Sequence, residues 1–142
     1  MTLTLKIIRL DKELPLPKFA LPGDAAMDLY AGEKTTIAPG ERVQVKTGLK
    51  MEIPAGYAGF VWDKSGLSQK SGLKTLGGVI DSGYRGEVLV GMINLSTETY
   101  IFEKGHKIAQ MCIQKIEQVE VVEVESLSES VRGEGGFGST GK

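Results

Sequence analysis

The chain has a single cysteine, Cys112, and a single histidine, His106. A lone thiol forms no intrachain disulfide, which suits a reducing compartment. No clustered His or Cys set is available for zinc. Cys112, flanked by Met111 and Ile113 with no second His or Asn to pair with it, reads as a buried strand residue and not a nucleophile. An excess of positive charge is also missing: the net charge is −1, which argues against a nucleic-acid or anionic-membrane partner. There is no apolar run of about 18 residues and no signal-like N-terminus. These absences predict a soluble intracellular protein, cytoplasmic or, in a eukaryote, nuclear, whose ligand is small.

What is abundant is glycine, 19 of 142 residues, about twice the average usage and concentrated in turns and at the C-terminus. It points to short strands with tight connections. The length suits one domain that buries roughly two-thirds of its unfolded surface. Residues 3–10 alternate as a first strand, and Leu14-Pro-Leu-Pro17 forbids its continuation. Thr35 to Ile37 is a short strand stopped by Pro39-Gly40. Val43, Val45, Thr47, Leu49, Met51 and Ile53 keep period two and share one face of the clearest strand. After the turn Pro54-Ala-Gly56, residues 57–62 return as its neighbour. Residues 63–75 read as a loop with one helical turn at most, and no long helix is expected. Further strands are expected at 100–102, 108–116 and 119–124. Many short strands at such spacing indicate an all-β sandwich, jelly roll or related barrel. Residues 1–127 form this domain, and 128–142 have too few apolar side chains to bury themselves, so they form a mobile arm.

Chemistry concentrates in four places. Val79 and Ile80 lead into Asp81-Ser82-Gly83, and Val88 to Met92 lead out, which reads as a hairpin with Asp81 and Tyr84 near its tip. Its backbone could hold a planar ligand, although an ordinary β-turn also accounts for this composition. Lys64-Ser65-Gly66 offers a cation, a hydroxyl and backbone donors, and Lys104 to Gln110 repeats the mixture with an amide; solvated lysines beside turns are the plain alternative. His106, between two lysines in that second segment, suits a charged surface loop and not a catalytic base. The arm carries Arg132, Ser139 and Thr140, which suit phosphate, and Phe137, which suits stacking on a flat ligand. A disordered tail is the alternative there. Gly136 to Gly141-Lys142 superficially matches a P-loop but lacks its strand and helix. Any metal would be a hard cation carried by phosphates, with Asp28 touching it through water.

In this order, Ala25-Ala-Met-Asp-Leu29, Lys64-Ser-Gly-Leu67, Gly78-Val-Ile-Asp-Ser-Gly-Tyr-Arg-Gly86, Gly105-His-Lys-Ile-Ala-Gln110 and Arg132-Gly-Glu-Gly-Gly-Phe-Gly-Ser-Thr-Gly141 resemble the five motifs of the homotrimeric dUTPases. The resemblance spans nearly the whole chain. It implies a jelly-roll-like fold, a homotrimer with active sites shared between subunits, and Mg²⁺-dependent hydrolysis of dUTP to dUMP and pyrophosphate. By position it implies Asp81 as general base for the attacking water, Tyr84 as the ring under the deoxyribose, and the backbone of Gly78, Val79 and Ile80 as the uracil reader. Lys64, Ser65, Gly66 and Gln110 would meet the phosphates, and Asp28 would order metal-bound water. Arg132, Phe137, Gly138, Ser139 and Thr140 would close over the nucleotide.

Three positions depart from the family pattern. Lys64 stands where Arg is usual, so a planar contact becomes a point charge. Ala26 stands where Gly is frequent, and His106-Lys107 stands where an acid followed by Arg is more usual. The alternatives to a dUTP hydrolase are a related dCTP deaminase, possibly bifunctional, and a non-enzymatic β-sandwich module. The deaminases resembling this chain carry a catalytic Glu where Gly91 stands here, and glycine cannot shuttle a proton.

Overall fold

The computed structural model describes residues 2–141. Its strands run β1 (Lys6–Arg9), β2 (Met27–Tyr30), β3 (Thr35–Ile37), β4 (Arg42–Glu52), β5 (Tyr57–Trp62), β6 (Leu73–Leu76), β7 (Val79–Ile80), β8 (Glu87–Asn94), β9 (Tyr100–Phe102) and β10 (Lys107–Lys115), with one helix, α1 (Ser65–Ser71), between β5 and β6. Two four-stranded sheets, ordered β1-β4-β8-β6 and β2-β10-β5-β7, are accompanied by a two-stranded β3-β9 sheet, and every pairing is antiparallel. The fold is all-β and jelly-roll-like. The helix is 7 residues long and stops at Gly72, whose φ of 68° is the left-handed turn that ends a helix. No helix among the described residues is long and apolar enough to cross a membrane.

Period-two patterning builds the core. β8 alternates half-buried and buried positions along its whole length, sending Val88, Val90 and Met92 inward against Leu29, Phe102, Ile108 and Met111 from other strands. Burying each such side chain is worth on the order of 1.5–3 kcal/mol. β4 keeps its apolar face although its ladder is interrupted: Lys46 pairs with Leu89 and Lys50 with Glu87, so four steps on β4 match two on β8. The two extra steps are an even number, so the alternation stays in phase across the irregularity.

Several expectations need correction. β5 is not the neighbour of β4; it pairs with β10 and β7 in the other sheet. The strands either side of Asp81 are not partners either, because β7 pairs with β5 while β8 pairs with β4 and β6. The ladder of this hairpin is β6 with β8, and β6 begins where the sequence suggests only loop. The cause is Gly77-Gly78, with φ of 70° and 118°, which turn the chain out of one sheet and into the other. A Cβ on Gly78 would lie 2.8 Å from the Val61 carbonyl oxygen, so only glycine permits that crossing. Residues 119–124 form no strand. Val119, Val121, Val122 and Val124 are all exposed, and a valine-rich segment without a partner strand has nowhere to place its backbone hydrogen bonds.

One buried polar residue ties the elements together. Asn94, fully buried, donates from Nδ2 to the carbonyls of Ile37 (2.9 Å) and Glu98 (2.8 Å), and its Oδ1 accepts from the Ser96 amide and hydroxyl. It fixes the end of β8 to β3 and to the turn before β9. Asn94→Ala strands these groups in the interior and is expected to cost roughly 2–4 kcal/mol. The check is the urea unfolding midpoint at fixed protein concentration.

Candidate active site

The register of the second sheet assembles one side of the site. Gln110 on β10 pairs with Asp28 on β2 and with Trp62 on β5, so three strands deliver these residues in a row. Directly after β5 come Asp63 and Lys64. Asp28, Lys64 and Gln110 meet in a cavity of about 370 Å³ that Trp62, Asp24 and Cys112 also line. Ser65 and Gly66 are exposed beside Lys64 at the start of α1, where Lys64 makes no side-chain cap.

Asp28 is the charged centre of this cavity. It is only 5% exposed, and its two oxygens meet Lys64 Nζ at 2.5 Å and Lys107 Nζ at 3.1 Å. Burial pushes the carboxyl up, but the hydrogen bonds and charges of the two ammonium groups outweigh it and hold Asp28 below the ordinary carboxylate value. Lys107 is held above its ordinary value, first by its hydrogen bond to Asp28. Asp63 is likewise raised by burial and more strongly lowered by Lys74 and by the Thr75 amide. Its carbonyl accepts from Gln110 Nε2 at 2.8 Å.

Sequence reasoning does not find Lys107 and Asp63 as site residues. Pairing across strands is what reveals them; the local signals are Asp63 standing directly before Lys64 and Lys107 falling within the segment from Lys104 to Gln110. His106 is exposed, as a surface loop requires. Its Nδ1 accepts the Glu103 amide at 3.0 Å, the bond that an acid at this position could accept through an oxygen. Cys112 is half-buried and touches the cavity edge, so it is less enclosed than a core strand residue.

The hairpin residues lie elsewhere. Val61 N–H donates to the Gly78 carbonyl at 2.8 Å, and Val79 and Ile80 pair with Phe60 and Gly59. The turn closes with the Tyr84 amide on the Asp81 carbonyl at 3.1 Å. Tyr84 is 42% exposed, and its hydroxyl donates to the Glu87 carbonyl at 2.7 Å. Asp81 is exposed, and no hydrogen bond or ion pair to its carboxylate is made among the described residues. None of Gly78, Val79, Ile80, Asp81 or Tyr84 lines the cavity at Asp28.

The arm forms a third group. Arg132, Gly138, Ser139 and Thr140 are exposed, Phe137 fully so with φ of 51°. Successive turns close it through Gly135 to Arg132, Ser139 to Gly136 and Gly141 to Gly138. This is not a P-loop's strand, loop and helix; Lys142, the last residue of that match, lies outside the described residues. The structure therefore brings Asp28, Lys64 and Gln110 together, with Ser65 and Gly66 adjoining. It does not bring the hairpin or the arm to them within one chain.

The donors around the cavity suit a hard cation only indirectly. Among the described residues no group of three or more His, Cys, Asp or Glu could hold a metal. The carboxylates of Asp24 and Asp28 and the amide of Gln110 offer hard oxygens, the kind a cation that keeps its waters can meet through those waters.

The dUTPase family model matches residues 12–141. Among curated relatives, deoxyuridine 5'-triphosphate nucleotidohydrolase of Corynebacterium glutamicum is 50% identical over 97% of this chain and 95% of its own length. A mutant dUTPase of Staphylococcus bacteriophage 80alpha, solved with dUpNHpp, superposes with a TM-score of 0.93 at 31% identity, covering 99% of this chain and 100% of that one. A mutant dUTPase of phage phi11 of S. aureus, a structure that details the coordination of a structural Mg(II) ion, gives 0.80 at 28% identity over 87% and 97% of the two chains.

The stabilisation that Asp28 contributes is present above the ordinary carboxylate pKa and is lost as pH falls through its lower folded-state value. Lys107→Met removes one of the two opposing charges. Titration of the Asp28 carboxyl by ¹³C NMR should therefore show its pKa raised, and acid unfolding should begin at higher pH. An Asp28 titration unmoved by the substitution would mean that Lys107 does not hold this carboxylate.

Proposed function

The chain belongs to the dUTPase family, and on that premise we propose that it hydrolyses dUTP to dUMP and pyrophosphate in a soluble intracellular compartment, by water attack at the triphosphate with Asp81 as general base. The enzyme is a hydrolase acting on a phosphoric anhydride. The observation that supports Asp81 is its place: it is the acid of the hairpin turn that also carries Tyr84, and no cation holds its carboxylate among the described residues. Asp28 is neutralised by Lys64 and Lys107, Asp63 by Lys74, and Glu52 by Lys6 and Arg85. Those carboxylates have their oxygens occupied by cations, whereas Asp81 at an exposed turn has its oxygens open to an approaching water.

The remaining roles follow from charge and shape. A triphosphate repels an incoming nucleophile, and Lys64, Arg132 and the amides near Ser65 and Gly66 reduce that repulsion, with Gln110 positioning an oxygen. Mg²⁺, when bound, supplies further neutralisation of the phosphate charge; Asp28 and Asp24 would meet its water shell. The backbone of Gly78, Val79 and Ile80 reads the uracil edge. The Tyr84 ring lies under the deoxyribose and leaves no room for a 2′-hydroxyl. Phe137 stacks over the bound nucleotide while Gly138, Ser139 and Thr140 close on it. No covalent intermediate is needed.

The site is completed in a homotrimer. Hairpin, cavity and arm stay apart in one chain, and the exposed valines of 119–124 leave a valine-rich segment with no partner strand among the described residues. Residues 128–142 then act as an arm laid over a neighbour, where Phe137 and Arg132 gain contacts that they lack on their own subunit. A deaminase reading is disfavoured by packing as well as by residue type. A Cβ on Gly91 would come within 2.9 Å of the Leu76 carbonyl oxygen, so the β6-β8 pair closes without space for a glutamate.

Asp81→Asn is expected to bind dUTP analogues as the parent does while turnover falls by roughly 10²-fold or more. Calorimetry and pyrophosphate release measure the two quantities, and turnover within a few-fold of the parent would remove Asp81 as the base. Truncation after Val131 should leave a folded, nearly inactive trimer. Refolded together with Asp81→Asn in equal amounts, it should recover about one quarter of parental activity under random assembly, because some sites then pair an intact hairpin with an intact arm. A mixture as inactive as its components, with subunit exchange verified by mass, would mean that hairpin and arm come from one chain.

A further inference from the structure

The seat of the Tyr84 ring is built from residues to which no role has yet been given. A Cβ placed on Gly86 would lie 2.5 Å from the Tyr84 hydroxyl oxygen and 2.7 Å from Cζ. The phenol end of the ring thus occupies the space that any side chain at 86 would need. Gly86 is not among the glycines with positive φ, so its backbone would tolerate alanine. Room for the ring is thus what glycine supplies here.

The hydroxyl is fixed by the next residue. Tyr84 donates to the Glu87 carbonyl, and Glu87 is itself anchored, its carboxylate accepting the Gly48 amide at 3.0 Å. Beside it, Thr47 Oγ1 donates to the Val88 carbonyl at 2.6 Å. Both anchors come from the irregularity in β4 between Lys46 and Lys50. At Gly48, φ is 68°, and an added Cβ would strike Leu14 Cδ1 at 2.5 Å, so this irregularity is itself held in place by the core. A rigid path therefore runs from the core through Gly48 and Glu87 to the ring, and the clearance at Gly86 lets the ring lie down on it.

We infer that Gly86 and Glu87 are positioning residues for sugar discrimination: they fix the height and tilt of Tyr84, and through it the exclusion of a 2′-hydroxyl. This rests on the reading that Tyr84 faces the deoxyribose. Ring placement, and not merely the presence of a ring, then sets the preference for dUTP over UTP.

The test measures kcat/KM for dUTP and for UTP in Tyr84→Ala, Gly86→Ala, the double variant, Glu87→Ala and Glu87→Gln. A general loss of folding or assembly lowers both substrates together and leaves their ratio alone. Gly86→Ala is expected to lower the dUTP-to-UTP ratio by about tenfold or more, toward the value of Tyr84→Ala. The double variant should fall no further, since both changes act on one ring. Glu87→Ala should lower the ratio by a smaller factor, roughly two- to fivefold, and Glu87→Gln, whose amide oxygen still accepts the Gly48 N–H, should restore it. If Gly86→Ala does not fold, the Glu87 pair decides alone. A parental ratio in the folded Gly86 and Glu87 variants, with Tyr84→Ala collapsed, would overturn the inference and spare the reading of Tyr84. A parental ratio in Tyr84→Ala itself would overturn both.

Discussion

Backbone hydrogen bonds must be satisfied on both sides of the chain's crossing between sheets, and the geometry of the hairpin follows from that requirement. Leu73 to Leu76 are paired in one sheet with β8, and Val79 and Ile80 in the other with β5. Only Gly77 and Gly78 stand between. They turn the chain through left-handed conformations close against Val61, and the segment from Asp81 to Gly86 is then held at both ends by different sheets. An acid and an aromatic ring on a free loop would sample many positions. Here they are carried by a turn whose two ends cannot slide independently.

The second constraint is electrostatic. A buried carboxylate needs partners, and Asp28 has two ammonium groups, one from the segment after β5 and one from β10. The arrangement fixes Lys64 at the cavity before any ligand arrives, and Asp28 with its two lysines carries one net positive charge, which Asp24 on the same wall offsets. It also separates two kinds of carboxylate by environment. Asp28 is buried and neutralised, whereas Asp81 is exposed and, among the described residues, unpaired.

Departures from the family pattern fit this picture. Lys64 in place of the usual arginine makes a single contact with one oxygen of Asp28, where a guanidinium would present a fork. His106 accepts a backbone amide within its turn, so the turn that leads into Lys107 is closed by an imidazole nitrogen. Asp63, next to Lys64, ties the same segment to β6 through Lys74 and Thr75.

By itself the sequence determined the all-β class, most strand positions and the motif residues, because period-two patterning and turn chemistry are local and the motifs are contiguous. The alternation from Val43 to Ile53 survived even the irregularity at Thr47-Gly48, since an even insertion preserves phase. Which strands pair was decided only by the tertiary structure. Residues 57–62 follow β4 by a tight turn and still join the other sheet, and β7 and β8 flank one turn without pairing. Both choices depend on burying two sheet faces against each other, a long-range condition that no local window contains. The same limit hid Lys107 and Asp63, whose partners lie across strands. It also accounts for residues 119–124, where a valine-rich run reads as a strand but only a partner strand could have made one.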